Sequence, residues 1–162
     1  MSALLAAEIR LYDFVLFVHV TAVVVAFGAT FAYPFFQVGV ERRSPHGVPA
    51  MLHAMHATSR YLVVPGSLLV LASGLYLTIE GWAFDELFVM VGLVVAIALI
   101  LLGALVFDPL ERRLLALAER DAAARTDELS EEYRALSRRF ATAGMAASLL
   151  VVVAVFFMAV KP

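Results

Sequence analysis

One histidine, His19, stands inside a long apolar run covering residues 14–36, and no other side chain there titrates near neutral pH. An ionisable group inside a bilayer span is costly and marks a functional position. A neutral imidazole can ligate haem iron, with methionine, water or an open position opposite it. It can equally be a packing group, hydrogen-bonded to serine, threonine, tyrosine or a backbone carbonyl. A proton relay would want an intramembrane carboxylate, and the run has none. At 3.6 residues per turn, Tyr12, Ala22, Ala26, Thr30 and Tyr33 share the face of His19, which therefore turns to the bundle interior over small residues. Matched for depth, Ser73 and Tyr76 lie level with it on the second apolar run. Met90 and Met158 are candidate neighbours from the third and fourth. His19 is thus the candidate haem b ligand, with Tyr12, Ser73, Tyr76, Met90 and Met158 around it.

A second cluster lies in a loop. His53, His56 and Arg60 fall at i, i+3 and i+7, on one helical face. Two imidazoles one turn apart are a candidate metal pair, with His46 the nearest further ligand type. The same face also reads as a basic surface against anionic lipid, or as a solvated face.

The elements that must position these groups are membrane spans. Of 162 residues, 63% are hydrophobic and 16% charged, against roughly 45–50% apolar in an average soluble domain. A hydrocarbon core about 30 Å thick needs about 20 helical residues. Four apolar runs meet that length, at 14–36, 61–79, 87–107 and 140–160, and none contains Asp, Glu, Lys or Arg. The first is too long for a signal peptide and comes after Glu8 and Asp13 rather than a basic stretch. Cysteine is absent, which excludes disulfides and thiolate sites, and a net charge of −2 offers no field for nucleic acid. Ten of the twelve Lys and Arg lie in the two long connections, between the first and second runs and between the third and fourth. The positive-inside rule then places both connections in the cytoplasm and both termini outside, in a multi-pass protein of the inner (cytoplasmic) membrane.

Within the connection before the fourth run, Asp108-Pro109 reads as an N-cap followed by proline at the first helical position. Leu110, Leu114 and Leu117 share one face. A second helix is expected after Thr126, acidic at Asp127, Glu128, Glu131 and Glu132 and basic at Arg134, Arg138 and Arg139, with Leu129, Tyr133, Leu136 and Phe140 as its apolar stripe. Residues 109–139 are therefore predicted to form an antiparallel helical hairpin projecting into the cytoplasm, either a stiff connector or a docking surface for a partner. Pro49 is expected to start a helix that runs into the second span, and Pro65 to kink it. Gly66, Gly74, Gly92, Gly103 and Gly144 read as close helix contacts, within the chain or in a homo-oligomer. The halves also echo each other: Glu41-Arg42-Arg43 matches Glu111-Arg112-Arg113, and Ser59-Arg60-Tyr61 matches Ser137-Arg138-Arg139-Phe140, the pattern of a parallel hairpin duplication.

The order Phe17-Val18-His19, Gly28, Arg60, Pro65, Ser73-Gly74-Leu75, Trp82, Pro109 and Arg112-Arg113 resembles a bacterial family of predicted four-span integral membrane proteins with no assigned function, over about residues 14 to 115. More remotely it is similar to the copper-resistance D type and to the haem-containing membrane protoporphyrinogen oxidases. That resemblance implies a haem-ligand role at His19. The oxidases also carry a lysine early in the third span, whereas residues 85–92 here have none, and Phe27 stands where they have tryptophan. The expectation is an all-α four-helix membrane bundle with a helical hairpin between spans three and four, forming one domain over 1–162. Its role is read as non-enzymatic, in structure, interaction or small-solute transport, with haem b redox chemistry at His19 as the alternative.

Overall fold

The computed structural model describes residues 10–124 and 128–161. All regular structure among them is helical. Helix α1 runs over Leu11–Arg43, α2 over Val48–Thr58, α3 over Val64–Gly81, α4 over Leu87–Leu102, α5 over Asp108–Ala123 and α6 over Glu131–Val160. Single π turns at Ser59–Val63 and Gly103–Phe107 weld α2 to α3 and α4 to α5, so two continuous rods result, Pro45–Gly81 and Leu87–Ala123. With α1 and α6, they make four helices long and apolar enough to cross a membrane. In the bundle α1 packs on α3, α3 on α4, α4 on α6, and α6 returns to α1.

Both π turns precede a proline and have one cause. Proline lacks an amide hydrogen, and its ring collides with the carbonyl four residues back. Widening the turn moves the bonding partner: the Val64 amide reaches back to the Ser59 carbonyl before Pro65, and the Asp108 amide to the Gly103 carbonyl before Pro109. The kink expected at Pro65 thus takes the form of a wide turn. Asp108 is not an N-cap, because the helix passes straight through it. Its carboxylate instead pairs with Arg112 at 3.0 Å, one turn on.

The expectation for residues 109–139 needs correction, since there is no separate hairpin. The arms continue the third and fourth spans and pack onto α2 and the end of α1, forming a head on the bundle. Leu114 and Ala118 of α5, Val48, Leu52 and Met55 of α2, and Tyr133 and Phe140 of α6 share one apolar core. An isolated hairpin would leave the outer sides of both stripes wet. Packing them on α2 buries that surface, so Leu114 and Tyr133 are fully buried and offer no docking stripe. The last helix begins at Glu131, where the Ser130 hydroxyl accepts from the Tyr133 amide at 3.3 Å. Arg125, Thr126 and Asp127, where a start was expected, lie outside the described residues. The first helix also outlasts its apolar run by nearly two turns, because Gln37 and Glu41 have polar partners on α6.

Two cavities inside the bundle

The head joins the bundle through two carboxylates, Glu111 buried and Glu41 partly buried. Glu41 Oε1 accepts from Gln37 Nε2 at 3.0 Å, Ser137 Oγ at 3.0 Å and Tyr133 OH at 2.9 Å. Burial, and then the neighbouring Glu41 charge, push the Tyr133 pKa well up, so it remains a donor. Glu111 accepts from Ser59 Oγ at 3.0 Å and meets His56 Nδ1 at 3.1 Å. The two sites answer to each other across the sequence echo: the glutamate after span one meets the serine preceding span four, and the glutamate after span three meets the serine preceding span two.

His53 and His56 do not converge on a common point. His53 Nε2 lies 3.0 Å from Glu119 Oε1, while His56 is on Glu111, so each imidazole ties α2 to a different carboxylate of α5. Among the described residues no group of three or more His, Asp or Glu side chains is placed to hold a metal ion.

Towards the end of the bundle far from the head, His19 Nδ1 lies 3.0 Å from Ser73 Oγ. The Ser73 hydroxyl spends its own proton on the Leu69 carbonyl at 2.6 Å, so it accepts from His19 Nδ1–H. That leaves Nε2 of His19 with a free lone pair. Gly74 makes the approach feasible, since a Cβ there would stand 3.1 Å from His19 Cε1. Beside this pair is a cavity of about 400 Å³, bounded by His19, Phe27, Ser67, Thr78 and Met158. Its walls are apolar apart from His19 and hydroxyls.

The other residues named with His19 are dispersed. Tyr12 lies at the far rim, where its hydroxyl accepts from Trp82 Nε1 at 3.0 Å. Seven residues of helical rise, about 10 Å, separate it from His19. Tyr76 is half-buried and does not border the cavity, and Met90 points outward with 51% of its surface exposed. Ser73 and Met158 therefore share the neighbourhood of His19, whereas Tyr12, Tyr76 and Met90 do not.

A second cavity of about 700 Å³ opens nearer the head. Phe27, Ser67, Leu99 and Val151 border both spaces, so the two stack along the bundle axis with those four side chains between them. The glycines explain the opening. Gly66 is pressed on Ala26, with a Cβ position 2.6 Å from the alanine methyl, and Gly92 is pressed on Met158. Gly103 and Gly144, also expected to mark close contacts, have nothing within 4 Å of a Cβ position and border the larger cavity. A small residue admits a neighbour only where one is present; here the prolines and wide turns hold the helices apart.

Against protein-family models, residues 13–162 match the family described as "Predicted integral membrane protein (DUF2269)". No curated protein and no solved structure matches.

Proposed function

The chain belongs to that family of predicted integral membrane proteins, and with this as premise we propose that it is a non-enzymatic small-solute protein, holding or passing an apolar or amphipathic molecule along the bundle axis. The observation that carries the reading is the stacking of the two cavities on Phe27, Ser67, Leu99 and Val151. A bundle whose interior served packing alone would close on itself, since voids forfeit dispersion contacts. Concave, mostly apolar spaces with a few polar groups are the usual form of small-molecule sites. The head lies on the cytoplasmic side of the inner membrane in this proposal, because ten of twelve Lys and Arg fall in the sequence between the first and second and between the third and fourth apolar runs. A reporter fused at Arg120 and found outside the cell would reverse that orientation. The solute test is mass spectrometry of an organic extract of detergent-purified protein. One small molecule should be enriched with wild type and lost with Gly144→Leu, which fills the larger cavity. An extract matching that of an unrelated four-span protein, prepared in parallel, would defeat the reading.

A second reading rests on the free Nε2 of His19. Haem ligands commonly donate their other ring N–H to a neighbour, as His19 does to Ser73. Met158 borders the same cavity and offers the only other soft donor in its walls. The donor set fits haem b, with His19 as one axial ligand, and a bound haem would supply one-electron chemistry there. Propionates would have to reach the rim, where Lys161 Nζ stands 4.2 Å from the centre of the Trp82 ring. Oxidised and dithionite-reduced absorption spectra of wild type and His19→Ala decide this reading. It requires a Soret band that the substitution removes, and a colourless protein from haem-supplemented cells would eliminate it.

A further inference from the structure

We propose that the cavity nearer the head binds an amphiphile with a single anionic head on an apolar chain, the head held by Arg60 and Tyr33. This rests on the solute-holding reading above and adds to it a ligand class and an orientation.

The polar groups around that cavity are nearly all engaged with one another. Gln37 gives its amide to Glu41 and Ser137, at 3.0 and 2.7 Å. Glu111, which would repel an anion, is turned onto His56 and Ser59. Asp108 is paired with Arg112. Two groups remain. The Tyr33 hydroxyl is buried beside Thr58 and Ser59 in hydrogen-bond geometry with neither. The Arg60 guanidinium borders the same cavity and makes no hydrogen bond or ion pair among the described residues. Guanidinium is purely a donor, and the phenol can also donate, so the complement is an acceptor carrying negative charge. A cation would find every nearby carboxylate already engaged.

The rest of the space selects what carries the anion. Beyond Tyr33 the cavity runs between Gly103 and Gly144 down to Leu99 and Val151, where no charge is present. A small hydrated anion gains nothing from that depth. A chain of methylenes gains about 0.8 kcal/mol for each one buried. Tyr61, next to Arg60 and 76% exposed, is the residue type that settles at the level of lipid headgroups. A fatty-acid carboxylate and a phospholipid phosphate present the same chemistry to Arg60, so experiment distinguishes the two sources.

The test uses the full-length protein in a non-ionic detergent and the fluorescent long-chain carboxylate 11-(dansylamino)undecanoic acid. Wild type should give saturable emission. Arg60→Ala should weaken it by roughly tenfold or more, the effect of losing one charge-assisted hydrogen bond, and Tyr33→Phe should weaken it less. Arg60 is exposed and unpaired, so its removal leaves the fold intact, and an unchanged melting temperature verifies this. Dodecanoate should displace the probe and uncharged dodecanol should not. Displacement by dioctanoyl phosphatidic acid at lower concentration than dodecanoate identifies the phospholipid source, and the reverse order the fatty acid. Equal binding by Arg60→Ala, with dodecanol competing as well as dodecanoate, overturns the head assignment and leaves a solute cavity standing. Absence of saturable binding in wild type for probe, dodecanol and lipid alike overturns the cavity reading with it.

Discussion

Around Tyr133 the helices close completely, and three turns deeper along α6, around Gly144, they part. Val48, Leu114 and Tyr133 in the head are fully buried, whereas in the spans Ala26 alone matches them among the described residues. In the head, water drives apolar stripes together. In the bilayer the surroundings are as apolar as the side chains, so only close approach and hydrogen bonds draw helices together. Those are found at Ala26 with Gly66, at Gly92 with Met158 and at His19 with Ser73, whereas around Gly103 and Gly144 the spans leave space. The head clamps the four helices, and the interior of the bundle is free to hold something else.

Truncating one leucine in each region should show the largest effect. Leu114→Ala is expected to cost about 2–5 kcal/mol in equilibrium unfolding, and Leu77→Ala, equally apolar but in α3, less than half as much. Equal losses would break the distinction. Next come the two glycines. Gly66→Leu should cost about 1–3 kcal/mol by overpacking against Ala26, while Gly144→Leu should leave the melting temperature unchanged or raise it. A comparable loss at both would mean that the larger cavity closes in the membrane.

A smaller effect concerns acid. Desolvation raises the Asp121 carboxyl, but the Ser130 hydroxyl and amide and then Arg120 outweigh it, so its pKa lies below the usual value. A lowered folded pKa means that its stabilisation is complete above the unfolded value, about 3.9, and is lost as pH falls through the folded one. Head stability should therefore decline below about pH 4, and Asp121→Asn should flatten that slope while lowering stability at pH 7. An unchanged acid profile in the variant would assign the decline elsewhere. Smallest of all, Trp82→Phe removes an exposed hydrogen bond to Tyr12 and should cost about 0.5–1 kcal/mol in thermal unfolding; more would show that the far rim also clamps the bundle.

Legibility in the sequence divides along the same line. The spans were readable, because length and lack of charge are what a bilayer demands; the third run, 87–107, coincides with α4 and its π turn. Depth counting also set Ser73 level with His19. Counting the helical face brought in Tyr12 as well, and sharing a face says nothing of height. The Gln37, Glu41, Tyr133 and Ser137 network was missed because all four lie outside the apolar runs, although each pair is spaced i, i+4 and could have been seen as two polar faces seeking each other. Gly103 and Gly144 make no close contact within the chain, which the sequence does not reveal: a missing side chain looks alike whether a neighbour fills its place or nothing does.

The wide turns also set a phase. Each adds one residue to its rod without adding a full step of winding, which offsets the residues beyond the turn by about 100°. One helix can therefore aim His56 and Ser59 at α5 in the head and, lower down, Gly66 and Ser73 at α1 in the bundle. Head and bundle are two cores wound on the same rods at different angular settings. Deleting a single residue from 59–63 together with Pro65→Ala would restore a uniform helix, and with it a molecule in which either core could form but not both together.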